Sequence, residues 1–187
     1  MSKENKKEHE KEEEASKLLE KNSMAPDFTV LDLGGKAIRL SDFRGKKKVV
    51  VYFYPKDFTP GCTTEAAEFT REYMKFKEAN IEIIGVSPDN DDSHKKFRQQ
   101  MKIPYLLASD TQNEISKKYG VYRVKNFMGR EHMGVNRSTF LINKNGRVVK
   151  AYPKIKIISG KGFADEYIKI FEIAENKNKP SIIQEAK

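Results

Sequence analysis

Cysteine occurs once in the 187 residues, tryptophan not at all and histidine three times. One thiol excludes a disulfide framework within the chain, a Cys-x-x-Cys redox pair and any zinc site built on several thiolates. His9, His94 and His132 are scattered, without clustered carboxylates, and do not form a metal-ligand pattern; no cofactor is expected from them. No apolar run approaches the ~18 residues of a membrane span. Charge from the third residue onward leaves no apolar stretch for a signal peptide. The expectation is an intracellular, cytoplasmic protein with no membrane contact, a nuclear location being the alternative, and one thiol to account for.

What is present suffices for one core. Eleven Phe and eight Tyr offset a hydrophobic content of only 37%, and the length is that of one domain with a little left over. The net charge of +9 is unevenly spread. Six Lys and seven Glu in residues 1–25 leave +10 on the rest. A positive surface attracts anions, nucleic acid included. Here the basic residues are not interleaved with the aromatics a single-strand binder uses. The two readings are a solvated basic face and a weak, phosphate-driven nucleic-acid contact.

Residues 1–23, mostly Lys, Glu and Asn, read as a charged tail that buries too little to offset its ordering entropy. The globular domain is expected over 24–176, with a polar tail over 177–187. Asp27 to Leu33, Gly34-Gly35 and Ala37 to Leu40 read as a hairpin. Val49 to Tyr54 is an unbroken β-branched and aromatic run, a strand buried on both faces. From Thr63 to Asn80 apolar residues fall at Ala66, Phe69, Tyr73 and Phe76, the steps of a helix with one buried face. A strand over Ile81–Val86, a helix over Asp91–Met101, a strand over Tyr105–Ala108 and a helix over Asn113–Tyr119 follow. A hairpin of Ser138–Ile142 with Arg147–Tyr152 and a helix over Phe163–Ala174 end the pattern. The segment around His132 reads as a polar loop. The order β-β-β-α-β-α-β-α-β-β-α predicts an α/β fold, a central mixed sheet with helices on both faces.

The lone Cys62 lies in Tyr54-Pro55-Lys56-Asp57-Phe58-Thr59-Pro60-Gly61-Cys62-Thr63-Thr64-Glu65, where a buried strand ends and a helix begins. A helix start offers free N–H groups and the positive end of a dipole, and both favour a thiolate. An unperturbed thiol is only ~3% ionised at pH 7, and the dipole contributes ~0.3–1 kcal/mol. Hydrogen bonds to sulfur or a fixed cation must add to it. Thr59 can bring its hydroxyl near the sulfur; the spacing alone does not name the cation. A small buried thiol with no chemistry is the plain alternative. A Cys–His hydrolase would need His132 against Cys62.

The stretch YPKDFTPGCTTE resembles the active-site loop of the peroxiredoxins, most closely the Q-type branch or bacterioferritin comigratory proteins. The family pattern of Pro, Thr and Cys falls on Pro55, Thr59 and Cys62. The resemblance continues through IEIIGVSPDN, YLLASD, NFMG and STFLINKNGRVV and covers about residues 25–175. The Arg that precedes a late strand in that family matches Arg137, which Glu65 could orient. The resemblance implies a thioredoxin-like fold and a thiol peroxidase that reduces hydrogen peroxide and alkyl hydroperoxides through a Cys62 sulfenic acid, with Pro55 shielding the sulfur and Thr59 and Arg137 as donors. Many members of the branch carry a resolving Cys five residues on; Ala67 stands there. That implies a one-Cys cycle, regenerated by thioredoxin, glutaredoxin or glutathione, in a monomer or homodimer. The alternative is a basic thioredoxin-like interaction module or redox sensor associated with nucleic acid.

Overall fold

The computed structural model describes residues 18–32, 34–156, 160 and 162–177. Expectations for residues 1–17, Leu33 and 178–187 lie outside the described residues. Nine strands are seen among them: β1 (Thr29–Leu31), β2 (Ala37–Arg39), β3 (Lys48–Phe53), β4 (Ile81–Ser87), β5 (Leu106–Ser109), β6 (Tyr122–Phe127), β7 (Arg130–Val135), β8 (Ser138–Ile142) and β9 (Val148–Tyr152). The helices are α1 (Pro60–Glu78), α2 (Asp91–Met101), α3 (Glu114–Lys118) and α4 (Ala164–Lys177).

The central sheet runs β5-β4-β3-β8-β9. β3 pairs parallel with β4 and antiparallel with β8, so the sheet is mixed. Every residue of β3 is buried, as the unbroken apolar run requires. Its alternation divides the core in two. Val50, Tyr52 and Tyr54 pack with Phe69 and Phe76 of α1, Phe97 of α2 and Phe171 of α4. Val49, Val51 and Phe53 pack on the opposite face with Phe28, Val30, Tyr119 and Phe140, and with Ile115 of α3. Helices therefore cover both faces of the sheet. None of those described is long and apolar enough to cross a membrane.

Tyr52 is the pivot of the first core layer. Its ring stacks on Phe69 at 4.4 Å and on Tyr54 at 5.4 Å, and its hydroxyl lies 3.0 Å from that of Tyr105. That placement needs Gly85 in the neighbouring strand, opposite Tyr52 in register. A Cβ on Gly85 would come within 2.7 Å of the Tyr52 ring and 2.8 Å of Leu107.

Two expectations are corrected. The chain packs from Leu18, not from residue 24: Leu18 and Leu19 lie against the second core layer. Leu19 N donates to Tyr119 O at 3.3 Å, and Asn22 N to Val148 O at 2.7 Å. Two leucines and a few backbone bonds suffice to dock these residues despite their polar company. The polar loop around His132 is a hairpin, β6 with β7. Its turn, Met128-Gly129, has φ of 51° and 78°, the signs of a type I′ turn; Met at the first position hides the usual Asn-Gly signal. Glu65, Glu68 and Glu72 of α1, which the apolar periodicity does not mark, are also buried. Glu68 accepts from Gly160 N at 2.9 Å, and Glu72 from Phe163 N and Ala164 N at 2.9 and 2.8 Å. The Glu72 carboxylate thus satisfies free N–H groups at the start of α4.

The Gly85–Tyr52 contact yields a stability prediction. Gly85→Ala must displace the Tyr52 ring or the strand, and overpacking of this kind costs about 1–3 kcal/mol. Urea unfolding followed by circular dichroism is expected to show that loss; an unchanged midpoint would mean the ring moves freely.

Candidate active site

The site is assembled by strand register. Phe53, at the end of β3, pairs with Ser138 at the start of the antiparallel β8. The chain leaving β3 and the chain entering β8 therefore lie side by side. The first continues through Pro55–Thr59 into α1; the second brings Arg137. Thr59 is the N-cap of α1 and Pro60 its first residue, where a fixed φ and missing N–H cost nothing. The first intrahelical bond shown runs from Thr63 N to Thr59 O at 2.8 Å. The N–H groups of Gly61 and Cys62 precede it, so they have no intrahelical partner.

Cys62 is 1% exposed. Arg137 Nη2 donates to its Sγ at 3.2 Å, and Arg137 Nη1 donates to Glu65 Oε2. Glu65 follows Cys62 by three residues on the same helix face, so one guanidinium spans both side chains. Gly61 makes the approach close: a Cβ there would sit 3.1 Å from Arg137 Nη2. Arg137 thus lies against the Cys62 sulfur and Glu65 against Arg137.

Burial opposes the charge on Arg137, but Glu65 and Cys62 beside it outweigh that and raise its pKa further. Burial pushes the Glu65 carboxyl up to about 7, and Arg137 only partly offsets it. The pair therefore joins a guanidinium that is always charged to a carboxyl that is costly to ionise.

Thr59 differs from expectation. Its hydroxyl donates to Lys56 O at 3.1 Å, not to sulfur. The single proton of the hydroxyl is committed to the loop, and what remains is acceptor capacity. Pro55 is half-buried in the same loop. His132 stands exposed on β7; the polar group that meets Cys62 is Arg137. Ala67 is exposed while Cys62 is buried, so the two do not share a helix face.

Sequence reasoning missed Lys125. It lies on β6, opposite His132, with its stem against Gly134, where a Cβ would come within 3.3 Å of Lys125 Cδ. Its Nζ donates to Val135 O, two residues before Arg137. Burial lowers the Lys125 pKa, as does Arg137, while Cys62 opposes them. The sulfur thus lies in a field with two cations and one carboxyl. The signal was hidden because β6–β7 was not legible as a hairpin. Among the described residues no group of three or more His, Cys, Asp or Glu is placed to hold a metal.

The chain is similar to known proteins over most of its length. The AhpC/TSA family matches residues 22–151. Peroxiredoxin Bcp of Bacillus subtilis (strain 168) is 43% identical over 139 residues, 74% of this chain and 88% of the relative. Peroxiredoxin Q, chloroplastic, of Oryza sativa subsp. japonica is 44% identical over 136 residues, 72% of this chain and 59% of the relative. Among solved structures, the Xanthomonas campestris bacterioferritin comigratory protein superposes with a TM-score of 0.70 at 33% identity, covering 79% of this chain and 91% of that one.

The buried carboxyl generates a pH prediction. A folded-state pKa raised to about 7 means the folded protein holds the Glu65 proton more tightly than the unfolded chain. That contribution is complete below the unfolded carboxyl range and is lost as pH rises through about 7. Glu65→Gln removes it. Thermal unfolding of the two proteins from pH 5 to 8 should show the wild type losing stability relative to Glu65→Gln as pH rises. A constant difference would place the carboxylate in full ionisation across that range.

Proposed function

The chain belongs to the AhpC/TSA family and is a peroxiredoxin of the Bcp/Q type, a thiol peroxidase, and from that premise we propose that it reduces hydrogen peroxide and alkyl hydroperoxides by a one-Cys cycle at Cys62. The observation that carries the assignment is the Arg137 guanidinium on the Cys62 sulfur at 3.2 Å, at a helix start. Alkyl peroxide reduction is described for the Xanthomonas campestris protein; its extension to this chain is part of the proposal.

In the first half-reaction the Cys62 thiolate attacks the terminal oxygen of ROOH. The S–O bond forms as the O–O bond breaks, the hydroxyl oxygen and its hydrogen stay on sulfur as Cys62 sulfenic acid, and the departing RO⁻ takes a proton from water and leaves as ROH. Charge develops on both oxygens, and fixed donors lower the barrier where it develops. Arg137 and the Cys62 N–H are those donors. Thr59, with its own proton on Lys56 O, accepts from the peroxide O–H and orients it. Pro55 has no N–H to offer and walls the sulfur from water.

In the second half-reaction an outside thiol attacks the sulfenic sulfur, water leaves, and a mixed disulfide forms. A second thiol releases Cys62 and leaves as the oxidised partner. Thioredoxin, glutaredoxin and glutathione all supply this chemistry. Because Cys62 is 1% exposed, the first turn of α1 has to open for any of them. The Ala67 position does not remove the need for an outside thiol. Five residues advance a helix by ~7.5 Å, beyond the ~7 Å limit of disulfide geometry, so even a Cys there would require unwinding.

Two measurements test the reading. Arg137→Met should slow Cys62 oxidation by hydrogen peroxide about 10²–10³-fold, the cost of losing one oxyanion donor; stopped-flow rates near the wild-type value would remove Arg137 from the reaction. Intact mass after peroxide treatment should show sulfinic acid rising with peroxide and falling with added glutathione. Ala67→Cys should suppress it if the helix start unwinds. Equal sulfinic acid yields under all these conditions would end the one-Cys reading.

A further inference from the structure

Asp57 lies five residues before Cys62 and is 3% exposed. Its side chain collects three donors. Tyr54 Oη donates to Oδ1 at 2.8 Å, Ser93 Oγ to Oδ2 at 2.7 Å, and His94 Nδ1 lies 2.9 Å from Oδ2. Its backbone N–H donates to Asp89 Oδ2 at 2.8 Å. Burial alone would push the Asp57 carboxyl up, but His94, Ser93 and Tyr54 hold it below the ordinary carboxylate range. It is therefore an ionised acceptor at neutral pH.

His94, also 3% exposed, has its second nitrogen, Nε2, 3.2 Å from Ala108 O of β5. A carbonyl can only accept, and so can an ionised carboxylate. Neutral imidazole has one N–H and would leave one of these two oxygens facing a lone pair. Both contacts are satisfied only when both nitrogens donate, that is, by imidazolium. The ring sits in the first turns of α2, where the helix dipole disfavours a cation, so Asp57 must hold it there. The other charged or titratable groups near it are Tyr54, whose ring is 6.4 Å away, and Asp32, Asp91, Lys95 and Arg98, which line a cavity with it.

We propose that His94, held as an imidazolium between Asp57 and Ala108, is a positioning residue for the peroxidase reaction. It fixes Asp57, and Asp57 fixes the loop that carries Pro55 and Thr59 to the sulfur. The loop needs holding: Phe58, between Asp57 and Thr59, has φ of 60°, a strained left-handed conformation for an aromatic residue. Phe58 is also half-open to solvent, resting edge-on against Phe97 at 5.1 Å, so its own packing is modest. The proposal rests on the peroxidase reading for its rate measurement but not for its structural one.

The structural test is ¹⁵N NMR of histidine-labelled protein, with His9→Asn and His132→Asn to assign the signals. The wild type should show both His94 nitrogens protonated at neutral pH. Asp57→Asn should show one, since the amide can donate to Nδ1 while Nε2–H stays on Ala108 O. The kinetic test is the rate of Cys62 oxidation by hydrogen peroxide. His94→Asn, too short to span both oxygens, should be about tenfold slower with a cooperative unfolding transition intact. Ser93→Ala, which removes one donor, should be slowed less and serves if His94→Asn does not fold. A neutral His94 ring in the wild type overturns the proposal. So does a protonated ring whose variants react at the wild-type rate. A wild type that peroxide does not oxidise at all overturns the peroxidase reading instead, leaving the NMR result standing.

Discussion

The site depends on one guanidinium serving two buried partners. Arg137 spans Cys62 and Glu65, both 1% exposed. The span is possible because the two are three residues apart on one helix, matching the fork of a guanidinium better than an ammonium could. Taking a charge out of water is expensive, and breaking a buried pair by removing one member costs about 3–5 kcal/mol. The constraint runs both ways. Cys62 obtains a nearby fixed cation, and Glu65 and the sulfur offset the cost of burying the Arg137 charge. Pairing also weakens its effect on sulfur, since an ionised Glu65 shares the same charge. A carboxyl that resists ionisation limits that loss.

Everything upstream of this contact places two chain segments at one end of the sheet. The antiparallel pairing of β3 with β8 sets Arg137 beside the loop after β3. The parallel pairing of β3 with β4, and of β4 with β5, sets the start of α2 there as well, and with it Ser93 and His94. One register therefore supplies the cation for the sulfur, and the next supplies the anchor for the loop. This is the usual place for chemistry in an α/β sheet, at the carboxyl ends of its parallel strands.

The sheet and its main helices were legible because periodicity reports burial. Val49 to Tyr54 could be nothing but an interior strand, and Ala66, Phe69 and Phe76 mark the face of α1 that is indeed buried. The periodicity starts this helix at Thr63, whereas it begins at Pro60 with Thr59 as its N-cap, because the first turn carries no large apolar side chain to mark it. Other features are invisible to periodicity for physical reasons. Glu65, Glu68 and Glu72 look like a solvated stripe, and only partners about 70 to 90 residues away explain their burial. His94 looks like a polar helix-start residue because its partner Asp57 is 37 positions distant. The β6–β7 hairpin alternates too weakly, and its Met128-Gly129 turn lacks the expected residue. Arg137 entered through family resemblance; spacing alone could not have chosen it among 36 basic residues.

The remaining tension is between reactivity and access. A sulfur that is buried and faces fixed donors is well placed for a peroxide of two heavy atoms, which needs little room. The same burial hinders a bulky thiol at the next step. The two steps make opposite demands on the first turn of α1, which must be rigid for attack and open for reduction. The network around Asp57 acts on the loop before that turn, while within the turn Thr64 Oγ1 donates to Pro60 O at 2.9 Å and Arg137 holds the sulfur. Oxidation changes that one contact, because a neutral sulfenic acid attracts a guanidinium less than a thiolate does. In the proposed cycle the Arg137 contact is therefore weakest at the sulfenic acid, the step at which an outside thiol needs the turn to open.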